Sequence, residues 1–301
     1  MIMRIGLTLI LLALLTFSLV STCSYATDSV RYNVSHTFSD PKQRYYIDLL
    51  RLALEKSVPE YGAYTLLEKT FEDAPQARTL ELLANADLID VHWSMTSITR
   101  EHKLGTVYIP LLKGMMGARV FIIHKDFQVT LNAQTHASAL LNYRFGSGHD
   151  WPDSQIYTYN NLKTETAGAQ NLLNMAAQKR FDLFPRALHE PWSEVTDYPS
   201  LRIDDQFGLC YPSAMYFFVK KSNHRLRKRL THGLHAAMLD GSFDALLNAH
   251  PITKDAIQKG HFTKRKLLKL RNPTMSIRTR DTLNAKRYTW APLHNCVRPT
   301  L

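Results

Sequence analysis

Beyond its first 26 residues the chain has no apolar run of the ~20 residues that a membrane-spanning helix takes, so nothing after that segment is expected to cross a bilayer. It also lacks the short patterns that announce common chemistries. There is no His-Glu-x-x-His zinc helix, no Gly-x-Ser-x-Gly elbow and no Walker loop. Gly146-Ser147-Gly148 is short of the third glycine of a dinucleotide loop, and His189-Glu190 runs into Pro191, which would break the helix a metal-binding pair needs. Neither metal nor cofactor is expected, and the chain does not read as an enzyme. Catalysis stays as the rival reading, because 13 histidines and several carboxylates could assemble a site. Cysteine is scarce as well. Of three, Cys23 belongs to the N-terminal segment, leaving Cys210 and Cys296. In an oxidising compartment such a pair invites a disulfide, which needs Cα atoms within ~7 Å; bridged and free both stay open.

What is present begins with Arg4, an apolar stretch over 5–20, and then Ser21, Thr22, Cys23, Ser24, Tyr25 and Ala26. A charged start, an apolar run and small residues in that order read as a secretory signal peptide over 1–26, cut after Ala26. An uncleaved anchor or a lipid on Cys23 are the alternatives; the run is short for the first, and Thr22 is large for the second. Export to the periplasm follows. The remaining 275 or so residues suffice for two ordinary domains, and 45% hydrophobic with 21% charged residues describes a globular chain. The net charge of +11 raises the question of nucleic acid or anionic membranes. However, Lys220, Lys221, Arg225, Arg227, Lys228 and Arg229, then Lys264, Arg265, Lys266, Lys269 and Arg271, alternate with leucines and read as solvated helix faces. No nucleic-acid motif accompanies them, and no nucleic-acid partner is expected.

Periodicity predicts a strand over 29–34, then a helix opened by Asp40, Pro41 and Gln43 with Tyr46, Ile47, Leu50, Ala53 and Leu54 on one face. A strand over 64–67, a helix over 74–85 capped by Asp73, and a strand over 88–91 continue the alternation of a helix-flanked parallel sheet. Ligands bind past the carboxyl ends of such strands, which makes Trp93, Ser94, Met95, Thr96, Thr99 and Arg100 candidates by position. Plain packing of Trp93 and Met95, and a surface role for Arg100, are the simpler readings. A strand over 118–124 leads to a second α/β unit: a helix over 137–141, strands over 143–145 and 156–159, a helix over 170–178 and a strand over 182–188. The chain then returns through an aromatic strand within 210–220. A helix capped by Ser222 or Asn223, carrying Leu226, Leu230, Leu234 and Met238 and ended by Gly241, follows it, and then a helix over 243–248.

The second unit carries the most suggestive stretch. Gly146, Ser147 and Gly148, followed by His149-Asp150-Trp151-Pro152-Asp153, read as a strand, a glycine turn and a helix start, where free N–H groups and the helix dipole can hold an anion. Arg186 is delivered by the strand after it, and its planar fork suits carboxylate or phosphate. An ion pair of Arg186 with Glu190 or Asp182, and an ordinary tight turn at the glycines, are the plainer alternatives. A chain that leaves one unit, builds a second and returns makes two hinged lobes that close on small ligands.

In this order the segments resemble the bilobal solute-binding proteins related to the polar amino-acid receptors of ABC transporters, as a divergent branch. The resemblance rests on Ile98-Thr99-Arg100-Glu101, residues 146–153, Phe184-Pro185-Arg186 with Glu190, Tyr211-Pro212 and the strand after it, Asp240-Gly241-Ser242-Phe243, and Leu270-Arg271-Asn272-Pro273. It implies an α/β, two-lobe periplasmic-binding-protein type II fold, each lobe a helix-flanked, mainly parallel sheet, joined by two hinge strands. Residues 27–123 and 207–301 would form the first lobe and the tail, and 124–206 the second. It further implies a monomer that captures a small polar solute, anionic or zwitterionic and amino-acid-like, for an inner-membrane permease or a membrane receptor. A lyase-like enzyme or a sensory partner on the same fold is the alternative. Two departures stand out. Arg100 directly follows Thr99, whereas His102 occupies the position that matches the family's carboxylate-binding arginine more closely, and its amino-group acid has no secure counterpart, although Asp153 and Glu190 are close in sequence.

Overall fold

A computed structural model describes residues 27–34, 41–71, 75–127 and 136–297; the expected signal peptide and the caps Asp40 and Asp73 lie outside them. The chain begins with β1 (Asp28–Val34), α1 (Pro41–Lys56), β2 (Tyr64–Thr70), α2 (Gln76–Asn85), β3 (Val91–Met95), α3 (Ile98–Lys103) and β4 (Gly105–Val107). The middle part holds β5 (Ala118–His124), β6 (Arg144–Gly148), α4 (Pro152–Tyr159), β7 (Lys163–Ala167), α5 (Leu172–Ala177) and β8 (Phe184–Ala187). It returns through β9 (Leu201–Cys210), β10 (Met215–Val219), α6 (His224–Leu239), α7 (Ser242–Ala249), α8 (Pro251–Lys259), β11 (Lys266–Lys269) and α9 (Ile277–Asn284), with single helical turns such as Val58–Tyr61 and Pro191–Glu194 between.

The first sheet has the order β2-β1-β3-β10-β4. β1 runs parallel to β2 and β3, but β10 is antiparallel to both of its neighbours, so this sheet is mixed. A second sheet, β11-β9-β5-β8, contains the two long strands β5 and β9, antiparallel to each other. A pair of parallel strands, β6 and β7, joins it through a bridge from Phe145 to Leu183, beside β8. Cys210 at the end of β9 is bonded to Cys296, with Cα atoms 5.4 Å apart, which closes the question left open by the sequence.

α1 buries Tyr46, Ile47, Leu50, Ala53 and Leu54, the stripe its periodicity predicts, and Tyr45 and Leu49 besides. Its neighbour α6 comes so close that a Cβ built on Gly233 would stand 1.7 Å from the Ala53 carbonyl oxygen. Asn223 caps α6 by accepting the Leu226 N–H, and Gly241, at φ 82°, ends it in the left-handed region that favours glycine.

Several expectations are corrected. The third strand begins at Val91, not 88, because Asp90 turns back to hold Arg31 and half-exposed Leu88 has no place in the sheet. Trp93, Ser94 and Met95 are therefore inside β3, paired with β10, rather than past its end. Gly146, Ser147 and Gly148 are inside β6, not in a turn, and 156–159 is the end of α4 rather than a strand. Pro152 at the first helical position and buried Asp153, Ile156 and Tyr157 have helical spacing. Residues 266–269 form β11, parallel to β9, instead of a helix. Arg229, expected on a solvated face, is fully buried: it reaches Asp28 at 2.6 Å, Ser57 Oγ at 2.9 Å and the Gly62 carbonyl at 2.6 Å. Among the described residues no helix is long and apolar enough to cross a membrane.

Candidate ligand cleft

The first unit meets the second along a seam built from α1, β3 and α3 on one side and from the segment after β6, β8 and the Pro191–Glu194 turn on the other. Contacts between described residues cross it. Lys42 Nζ on α1 pairs with Glu194 Oε1 at 2.6 Å, and the Tyr46 hydroxyl meets His189 Nε2 at 3.1 Å. The Asp150 carboxylate accepts the Ala77 N–H at 3.1 Å at the start of α2, where the helix dipole favours an anion. Arg100 donates to the Asp150 carbonyl at 3.3 Å.

At the floor, between the two sides, lies a neutral array of three cations, Lys42, Arg119 and Arg186, and three carboxylates, Asp153, Glu190 and Glu194. Arg186, at the middle of β8, lays its fork on Glu194 at 2.7 and 2.6 Å and touches Glu190 at 3.1 Å. Its guanidinium also stacks 4.8 Å from the Trp151 ring centre and 5.0 Å from that of Phe184. Burial opposes the charge on Glu194, but Arg186 and Lys42 outweigh it and hold this carboxyl well below the usual range. Glu190 is held below its ordinary value by the same balance, and it also accepts the Ala187 N–H at 2.7 Å. Arg119 on β5 is buried against Asp153 at 2.6 Å and 5.4 Å above the Tyr211 ring, and its Nε finds no acceptor among the described residues. Tyr211 in turn donates its hydroxyl to Asp153.

Arg100 differs from these arginines. Ser97 caps its helix, and the guanidinium turns inward to Ser94 Oγ at 2.6 Å and the Met95 carbonyl at 2.8 Å. No carboxylate stands within ion-pairing distance of it among the described residues. Burial pushes its pKa down to about 10, an effect that the more distant Asp150 and Asp153 only partly offset. It is a desolvated cation held by neutral acceptors, the condition under which an incoming anion gains most.

Trp93 walls the seam beside it, stacked on Tyr46 with ring centres 5.3 Å apart. Met95 is buried, with Arg119 Nη2 3.7 Å from its sulfur. Thr99 and His102 are exposed, so Arg100, not His102, faces the seam. Thr96 spends its hydroxyl on Glu101 at 2.6 Å, and Tyr108, Ser276 and Thr279 donate to the same carboxylate. Arg186 and Glu190 form the ion pair that the sequence offered as an alternative, with Glu194 added; Asp182 pairs with Arg144.

The glycines answer to packing. A Cβ on Gly146 would stand 2.4 Å from the Phe181 ring, and one on Gly148 the same distance from the Trp151 indole. Ser147 accepts the Ser154 hydroxyl at 2.8 Å. Lys42, Tyr46, Arg119, His189 and Glu194 were not anticipated. The burial of β5 and of the α1 stripe was readable, but nothing in a linear pattern tells that Arg119 or Lys42 meets a carboxylate far away in the chain.

No protein-family model matches the chain, and no curated protein matches it either. Solved structures do. An ancestral arginine-binding protein bound to glutamine superposes with a TM-score of 0.56 at 13% identity, over 75% of this chain and 99% of that one. An arginine-specific periplasmic binding protein of Salmonella typhimurium gives 0.54 at 11% identity, over 74% and 98%. A histidine kinase sensor domain similar to periplasmic binding proteins gives 0.54 at 12%, over 75% and 96%. At such identities the likeness is one of fold: the chain has the two-lobe α/β architecture of type II periplasmic binding proteins.

Proposed function

We propose that this chain is an exported solute-binding protein that captures a small anionic or zwitterionic, amino-acid-like solute between its lobes, for uptake or for sensing. The observation that carries the reading is Arg100, a desolvated guanidinium at the seam with only neutral acceptors around it. A ligand carboxylate taking the place of the Asp150 carbonyl gives Arg100 the charge-assisted partner it lacks, with Ser94 alongside and the Trp93–Tyr46 stack as an apolar wall. Arg186 serves the site by fixing Glu190 and Glu194, the carboxylates that an ammonium group would approach. Gly146, Ser147, Gly148 and Thr96 support the walls. The lobes in this reading are 27–123 with 207–301, and 124–206, so that both crossings run within the paired strands β5 and β9. The partners are the solute and an inner-membrane permease or receptor, and the reaction is binding without turnover.

The test is a thermal-shift screen of amino acids, short peptides, organic acids and other anionic metabolites. At least one compound is expected to stabilise the protein saturably, by about 2.7 kcal/mol at a hundredfold excess over Kd. Arg100→Ala is expected to remove that response while leaving the fold intact. Undiminished binding by the variant sinks the assignment of Arg100, and conversion of a hit into product replaces capture with catalysis.

A further inference from the structure

The positive charge of this protein is not spread evenly. Between positions 254 and 288 there are 11 Lys and Arg residues against two Asp, while the rest of the chain carries 26 against 24 acidic residues. Some of these cations have work within the fold. Arg265 is buried and donates to the Gly260, Asp204 and Phe207 carbonyls, Lys259 pairs with Asp255, and Arg278 lies 3.8 Å from the Tyr108 ring centre. Lys269, Arg271 and Arg280 differ: their side chains are exposed, and among the described residues no carboxylate stands within ion-pairing distance of them. All three line one cavity of about 230 Å³.

The cavity is a built feature rather than a dent. The Cys210–Cys296 disulfide lines it, with Asn272 and Tyr159. Asn272 is fixed through its side-chain amide on the Pro212 carbonyl at 2.8 Å. Asn160, just after α4, and the Arg271 backbone exchange two hydrogen bonds, at 2.7 and 2.9 Å. Three cations thus line one hollow, and Asp281, the nearest acid in sequence, does not line it. None of the seam residues lines it either.

We propose that this cavity is a second binding site, separate from the cleft, for a phosphate dianion or a phosphate ester. Like charges gathered without a counterion repel one another, and a multiply charged anion relieves all three at once. Two guanidinium forks match phosphate oxygens in pairs, and the lysine adds a point charge. A singly charged carboxylate leaves two of the cations unmatched. A free anion and a lipid headgroup are two sources that share this chemistry.

The experiment titrates inorganic phosphate and pyrophosphate against the full chain with its disulfide intact, following thermal shift at an ionic strength held constant with sodium chloride. Saturable stabilisation is expected. The double variant Lys269→Gln, Arg280→Gln changes only exposed side chains and is expected to weaken binding at least ~10-fold, the scale of losing charge-assisted hydrogen bonds. Arg100→Ala is expected to keep the phosphate response. A parallel arm sediments both proteins with vesicles of anionic or of zwitterionic phospholipid. Variant-sensitive pelleting with anionic vesicles, without a response to free phosphate, assigns the anion to a headgroup; a variant-sensitive response to phosphate assigns it to the free ion. If parent and double variant behave alike in both arms, the cavity is not an anion site.

Discussion

Two arginines show what a linear reading catches at the scale of a residue. Both Arg100 and Arg186 were candidates by type and position. Only contacts separate them: Arg186 meets Glu194 and Glu190 within a few residues of chain, whereas Arg100 has carbonyls and a hydroxyl. His189, hidden at the same seam, gives a test by pH. Burial pushes its pKa down to about 4, with Lys42, Arg119 and Arg186 acting in the same sense and Glu190 against it. The folded state therefore refuses a proton that the unfolded state accepts below about 6.5. Stability attached to His189 is complete above that value and is lost as pH falls toward 4. Between pH 7.5 and 5 this one group is expected to cost about 2 kcal/mol. Urea unfolding at the two values checks it: His189→Gln, which keeps a neutral partner for Tyr46, should lose about 2 kcal/mol less than the parent. Equal losses in both proteins exclude His189 as the source.

Elements were readable where periodicity and packing agree. α1, α6 and β5 fall within a residue or two of their expected bounds, because an apolar stripe or an apolar run rich in β-branched residues has one buried solution. β6 was misread for a physical reason. Glycine signals a turn when conformational freedom is at stake, but Gly146 and Gly148 are small because Phe181 and Trp151 lie across the strand. β7, in the polar stretch Lys163–Ala167, has no alternation to betray it. Gly233 is the same kind of packing glycine inside a helix, and it carries a prediction. Gly233→Ala gains helix propensity but drives a methyl group against the Ala53 carbonyl, so α1 and α6 must separate. A loss of about 2 kcal/mol is expected on denaturant unfolding. A stabilised variant contradicts the close approach of the two helices.

At the scale of the molecule, the departure from one α/β unit and the return to it could be read from the alternation of elements. The seam could not, since each contact across it joins residues far apart in the chain, such as Lys42 with Glu194. The disulfide likewise rests on the proximity of β9 to the chain's last described turn.

The place of β10 in the first sheet has a consequence in time. Its strands β1 to β4 precede the middle unit in the chain, yet β10, which links β3 to β4, follows that unit. Until β10 arrives, β4 has no pairing partner and β3 keeps only the Tyr32–Val91 pair with β1. Strands β5 to β9, by contrast, are consecutive, and closing their shorter loops costs less entropy. The middle unit is therefore expected to fold first, with the first sheet completed last. Pulsed hydrogen exchange during refolding should protect amides in β6 and β8 before those in β3 and β4. Simultaneous protection, or β3 leading, rules this order out.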